Sequence, residues 1–122
     1  MVTNRVTVLV VEDEPLIRAL VAEVLEDAGF AVTEAADGEE AMAVLDGLTD
    51  PPTVLATDIN LGPGTDGIAL ATEARDRWPG LPVVYITGSP DRLANRRLAD
   101  DERLVVKPFD PLSLPGLIAG MV

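Results

Sequence analysis

Five short apolar runs, each ending at a polar or charged residue and each followed by a stretch of helical periodicity, constrain this chain more than any other feature. The first, Val6-Thr7-Val8-Leu9-Val10-Val11, is β-branched and almost continuously apolar, the pattern of a strand buried on both faces of a parallel sheet. Glu12-Asp13-Glu14-Pro15 closes it with acids and a proline suited to a helix start. Ile17, Leu20, Val21, Val24, Leu25 and Ala28 then recur at helical spacing, and Gly29 supplies a stop. Phe30 to Glu34 predicts the second strand, and Asp37-Gly38 turns it into a helix carrying Ala41, Met42, Val44, Leu45 and Leu48. Pro51-Pro52 precedes a third strand, Thr53 to Thr57, which runs into Asp58. A helix from about Gly67 to Trp78, a strand from Leu81 to Ile86, and a weaker helix from Pro90 to Ala99 follow. The fifth strand, Arg103 to Val106, reaches Lys107-Pro108, and a last helix occupies about Pro111 to Met121, its start weakened or delayed by Pro115.

Strict alternation with short connections predicts an α/β domain: a parallel sheet covered by helices on both faces. A length of 122 residues fits one such domain over 1–122, and no repeat or linker interrupts it. The chain stops at the last helix, so no attached output domain is expected.

Composition removes several kinds of chemistry. The sequence has neither histidine nor cysteine, which excludes a Ser-His-Asp hydrolase, a phosphohistidine carrier, thiol nucleophiles and thiolate zinc sites. A net charge of −12 argues against a nucleic-acid ligand, since phosphate backbones are held by basic patches. No signal peptide is visible, and no stretch approaches the roughly 20 apolar residues of a membrane span, so a cytoplasmic location without membrane contact is the default expectation.

What remains is oxygen and lysine chemistry, and the alternation says where it gathers. Sites in open parallel sheets form at the carboxyl ends of the strands. Those ends carry Glu12 and Asp13, Asp58, Thr87 and Lys107. Clustered carboxylates repel one another unless neutralised, and Mg²⁺, which prefers oxygen ligands, neutralises them. Lysine, hydroxyl and cation together suit the stabilisation of a transferring phosphoryl group, and a carboxylate can act as its nucleophile.

On these residues the chain resembles the response-regulator receiver family, the CheY-like domains. The matching elements are Glu12-Asp13, Asp58, Thr87-Gly88 and Lys107-Pro108-Phe109, in order over essentially the whole chain. The resemblance implies a doubly wound, flavodoxin-like five-stranded sheet in the order 2-1-3-4-5 flanked by five helices. It implies phosphotransfer to Asp58 from a sensor histidine kinase or histidine phosphotransfer protein, with Thr87 and Lys107 assisting. It further implies Mg²⁺ held by Asp13, Asp58 and the backbone carbonyl of Asn60, with Glu12 acting through metal-bound water. Such a protein promotes only its own phosphorylation and dephosphorylation, turns over no external substrate, and signals to a downstream protein as a monomer or weak dimer.

Three departures from the family pattern stand out. The aromatic usual three positions before the lysine is Leu104, which leaves Tyr85 as a candidate replacement. The loop Leu61 to Gly67 is about one residue longer than usual, with its proline displaced. The fourth helical segment is crowded with charge. Its bases Arg92, Arg96 and Arg97, with Arg103 and Lys107 beyond, read as a solvated face balanced by Asp91, Asp100, Asp101 and Glu102; the alternative is a partner-docking face. Glu14 reads as a helix-capping acid, and Asn60 and Ser89 either as loop residues or as flankers of the phosphoryl group. Two competing functions follow. Leu104 motivates a phosphorylation-independent interaction module. An aspartate-nucleophile phosphatase is disfavoured, because Asn60 stands where such enzymes usually place a second aspartate.

Overall fold

A computed structural model describes residues 5–93 and 97–122. Its strands are β1 (Thr7–Val11), β2 (Ala31–Ala35), β3 (Val54–Asp58), β4 (Val83–Thr87) and β5 (Glu102–Val106). All pair in parallel, in the order β2-β1-β3-β4-β5. Strand boundaries fall within one or two residues of those expected.

Alternation along each strand builds two cores. Leu9, Leu55, Val83 and Tyr85 point to one face and pack with Ala41, Leu45, Leu70 and Ala74, which belong to α2 (Gly38–Asp46) and α3 (Gly67–Arg77). Val8, Val10, Val54, Ala56, Val84 and Ile86 point to the other face and meet Val21, Leu25, Leu114 and Ile118, carried by α1 (Pro15–Asp27) and α4 (Leu114–Ala119). Truncating one of these buried side chains, for example Leu55→Ala, is expected to cost about 2–5 kcal/mol through lost burial and the residual cavity.

Local chemistry sets the helix ends. Asp37 caps α2 by accepting the Glu40 amide at 2.8 Å, and Asp66 caps α3 by accepting the Ala69 amide at 2.8 Å. At α1 the first helical residue is Pro15, whose fixed φ suits that position, while Glu14 sits at the cap without a side-chain cap bond. Glu14 thus lies at the positive end of α1, as read, without making a side-chain capping bond. Gly29, with φ of 95°, lets the chain leave α1 in the left-handed region.

The described residues hold four α-helices rather than the five expected. Within the segment expected to be helical from Pro90 to Ala99, Pro90–Leu93 form a single 3-10 turn and 97–99 are irregular; Arg96 lies outside the described residues. Leu93 is buried in this turn, Leu98 packs partly buried against the same core, and Ala99 is tied into a turn with Glu102, whose Oε1 accepts the Ala99 amide at 2.9 Å. At the other end, Pro111–Ser113 form a 3-10 turn and α4 starts at Leu114, the delay expected of Pro115.

Candidate functional site

The parallel sheet brings Glu12, Asp58, Thr87 and Lys107 to one edge, as their strand-end positions require. Asp58 is the last residue of β3 and is buried. Glu12, directly after β1, is buried beside it, whereas Asp13 is exposed. Lys107 follows β5 and reaches across the sheet end to both carboxylates. Its Nζ donates to Glu12 Oε1 at 2.6 Å and to Asp58 Oδ2 at 2.8 Å. The main chain holds this reach in place, because the Lys107 amide donates to the Thr87 carbonyl at 2.8 Å.

The other Asp58 oxygen accepts the Asn60 amide at 3.1 Å. The second Glu12 oxygen accepts the Glu14 amide at 3.2 Å, so Glu14 serves the pocket through its backbone rather than its side chain. Thr87 is fully buried, and its Oγ1 accepts the Ser89 amide at 2.9 Å, which orients the loop after β4.

Burial dominates the electrostatics of Glu12. Desolvation pushes its carboxyl from 4.5 up to about 7, with Asp13 and the Asp58 charge acting in the same direction and the Lys107 and Glu14 hydrogen bonds opposing. For Lys107, burial works to lower the ammonium pKa, but the hydrogen bonds and charges of Asp58 and Glu12 outweigh it and hold it above its ordinary value. Glu12, Asp13 and Asp58 each bring a carboxylate oxygen to within 4.8 Å of the others. An oxygen-only donor set of this kind fits a hard divalent cation.

A second group of residues borders the acceptor on the β3–β4 side. Arg92 Nη1 donates to Asn60 Oδ1 at 2.8 Å, and its Nη2 pairs with Asp66 Oδ2 at 2.7 Å. Asn60 Nδ2 donates to Ser89 Oγ at 3.4 Å. Sequence reasoning placed Arg92 only in a basic cluster. The cap position of Asp66 before an apolar helix was a readable signal, but nothing in the spacing linked it to Arg92.

Among the described residues of that basic cluster, Arg97 is exposed, but three others are engaged rather than simply solvated. Arg92 is engaged with Asn60 and Asp66, Lys107 with the acid pocket, and Arg103 with the carbonyls of Asp100 and Glu102. Glu102, read as a solvated counter-charge, is buried, and its Oε2 accepts the Tyr85 hydroxyl at 2.9 Å. Asp101 pairs with Arg75 at 2.9 Å. Tyr85, the candidate replacement for the aromatic absent at Leu104, is fully buried in β4 with its hydroxyl on Glu102. Leu104 is half-buried against the same core.

The doubly wound sheet and its acidic, lysine-bridged edge define a class of domain, and comparison identifies the family. The model of the response regulator receiver domain matches residues 8–119. The chain belongs to that family. It is similar to the probable transcriptional regulatory protein TcrX of Mycobacterium tuberculosis, 36% identical over 107 residues, which cover 85% of this chain and 44% of TcrX. The chain thus spans about half the length of the curated relatives it matches. Among solved structures it resembles a response regulator receiver protein from Sinorhizobium medicae, with a TM-score of 0.87, 28% identity, and coverage of 97% of this chain and 94% of that one. It also resembles the response regulator TrrA of Thermotoga maritima, solved in complex with Mg²⁺-BeF, with a TM-score of 0.78, 27% identity, and coverage of 95% and 98%. Among the described residues, no helix is long and apolar enough to cross a membrane.

Proposed function

We propose that the chain receives a phosphoryl group on Asp58 from a phosphohistidine of a sensor kinase or phosphotransfer protein. The observation that carries this is the Lys107 ammonium, held on both Asp58 and Glu12 at the rim of a three-carboxylate cluster. In the transfer, an Asp58 carboxylate oxygen bonds to phosphorus as the phosphorus–nitrogen bond breaks, and the electron pair returns to the donor imidazole. Lys107 neutralises charge on the phosphoryl oxygens, and the Asn60 amide fixes the carboxylate oxygen it binds. Thr87, buried at the end of β4, supplies a hydroxyl on the same edge. Glu12, Asp13 and Asp58, with the Asn60 carbonyl, would hold Mg²⁺, which when bound supplies positive charge to the transferring group. The donor protein reaches this edge across an apolar groove of about 430 Å³ lined by Ile17, Leu20 and Phe109, which Lys107 also borders. The chain performs no turnover of external substrate. Its phosphorylation is read by a downstream protein, and its net charge of −12 favours a protein rather than a nucleic acid as direct partner.

Leu104 supports a second reading, an interaction module that works without phosphorylation. Incubation with Mg²⁺ and acetyl phosphate, followed by intact-mass measurement, separates the two. The parent is expected to gain one phosphoryl mass and Asp58→Asn none. If neither gains it, and partner binding is the same for both, the interaction module stands. Release of phosphate from added phosphate esters would instead indicate a phosphatase.

A further inference from the structure

The residues beside the acceptor on the β3–β4 side form a bonded chain that the acid pocket itself does not require. Asn60 follows Asp58 by two residues, and both ends of its carboxamide are occupied, Oδ1 by Arg92 at 2.8 Å and Nδ2 by Ser89 at 3.4 Å. Because Asn60 follows β3 and Ser89 follows β4, this side chain crosses the gap between the two strand ends. Arg92 turns its second nitrogen to Asp66 at 2.7 Å, and the other Asp66 oxygen remains on the Ala69 amide at 2.8 Å. One planar guanidinium therefore fastens Asn60 to the first turn of α3, a two-partner geometry that a lysine ammonium reproduces poorly.

Stability alone is a weak reason for this arrangement. The Arg92 and Asp66 side chains are 40% and 34% exposed, and ion pairs this open to water contribute little to folding. We infer that Arg92 is a positioning residue: by pinning the Asn60 carboxamide across the β3–β4 gap, it slows hydrolysis of the phosphoryl group on Asp58. The inference rests on Asp58 being the acceptor, as proposed above. In hydrolysis a water oxygen bonds to phosphorus while the bond from phosphorus to Asp58 breaks. The electron pair returns to the carboxylate, and the water proton leaves with inorganic phosphate. That water must approach in line, opposite the Asp58 oxygen and so from the solvent side. A carboxamide fixed at both ends narrows this approach and is itself unavailable to orient the water. Release of Asn60 removes both restraints.

The test phosphorylates parent, Arg92→Ala, Arg92→Lys, Asn60→Ala and the Asn60→Ala/Arg92→Ala double variant with acetyl phosphate and Mg²⁺. The donor is then removed, and loss of the phosphoryl mass is followed with time. Arg92→Ala is expected to shorten the lifetime about fivefold, the rate equivalent of one hydrogen bond, with its melting temperature nearly unchanged. Arg92→Lys should decay as fast as Arg92→Ala, because charge without the fork does not pin Asn60. If Arg92 acts through Asn60, the double variant decays no faster than Asn60→Ala. Asp66→Asn keeps a cap acceptor for Ala69 but weakens the pairing with Arg92, and gives the same direction should Arg92→Ala fold poorly. Parent-like decay of Arg92→Ala, of Arg92→Lys or of Asp66→Asn, or additive effects in the double variant, overturns the inference while leaving the acceptor in place. A parent that gains no phosphoryl mass overturns the acceptor reading, and this inference with it.

Discussion

The two flanks of Asp58 are both held by charged hydrogen bonds, yet water reaches them very differently. On the β1–β5 flank, Lys107 binds a Glu12 side chain only 5% exposed and an Asp58 side chain 7% exposed. On the β3–β4 flank, the Arg92 and Asp66 side chains are each more than a third exposed. Bond lengths do not distinguish them, at 2.6 and 2.8 Å on one side and 2.7 and 2.8 Å on the other. The surroundings do. Removing one partner of a buried pair strands a charge in a poorly solvated place, whereas water replaces much of what an exposed pair loses. One flank is held by desolvated charge and the other by hydrogen-bond geometry in contact with water.

Lys107→Ala should give the largest effect. The phosphorylation rate by acetyl phosphate is expected to fall about 10²- to 10³-fold, the usual loss when a preorganised charge-stabilising group is removed. A loss no greater than that of an exposed-flank variant would erase the contrast. Gly67→Ala probes the close approach of α3 to the end of β3 beside the exposed flank. A Cβ there would collide with the Asp58 carbonyl oxygen and press on the backbone of Ile59, so a destabilisation of about 1–3 kcal/mol is expected in urea titration. A neutral result would mean that α3 is free to move off the strand.

The buried flank also has its own pH signature. The Glu12 carboxyl is raised in the folded protein from 4.5 to about 7, so the folded state binds the extra proton. Its contribution to stability is complete below 4.5 and is lost as the pH rises through about 7. Urea titrations in EDTA should show that decline, and Glu12→Gln should flatten it. Asp66 behaves oppositely. Burial would raise it, but the Ala69 amide and Arg92 hold it below 3.8, so its contribution is present above that value and fades only at lower pH. The smallest expected effect is a screening difference. Raising the salt to about 1 M, where the Debye length is about 3 Å, should shrink the Arg92→Ala phenotype and leave that of Lys107→Ala almost intact.

The contrast also marks what could be read from the chain. Continuous apolar runs disclosed the sheet because a parallel strand is buried on both faces, and the residue ending each run had to lie at the site edge. Glu12, Asp58, Thr87 and Lys107 were legible for that reason. Arg92 was not, because its partners depend on where a short 3-10 turn swings a flexible side chain, and periodicity carries no record of that. Glu102 was misread for a related reason. An acid beside Asp100 and Asp101 looks solvated in sequence, but the β5 register puts it opposite Val83 at the sheet's covered face, within reach of Tyr85. The weak helix read from Pro90 to Ala99 was likewise too long for the described residues, where Pro90–Leu93 form only a 3-10 turn and the Glu102 side chain ties Ala99 into a turn.

The seating of Gly67 has a mechanical consequence. Its amide donates to the Ile59 carbonyl at 2.9 Å, and its bare Cα lies against the Asp58 peptide. The intervening loop therefore leaves and re-enters the frame at nearly the same point, like a closed link on a fixed post. Any displacement of Asn60 or Asp66 has to be absorbed inside that link, where Gly62 and Gly64, with φ of 78° and 99°, provide the swivels. The strand register and the helix position would therefore be insulated from any turning of the rim beside the acceptor.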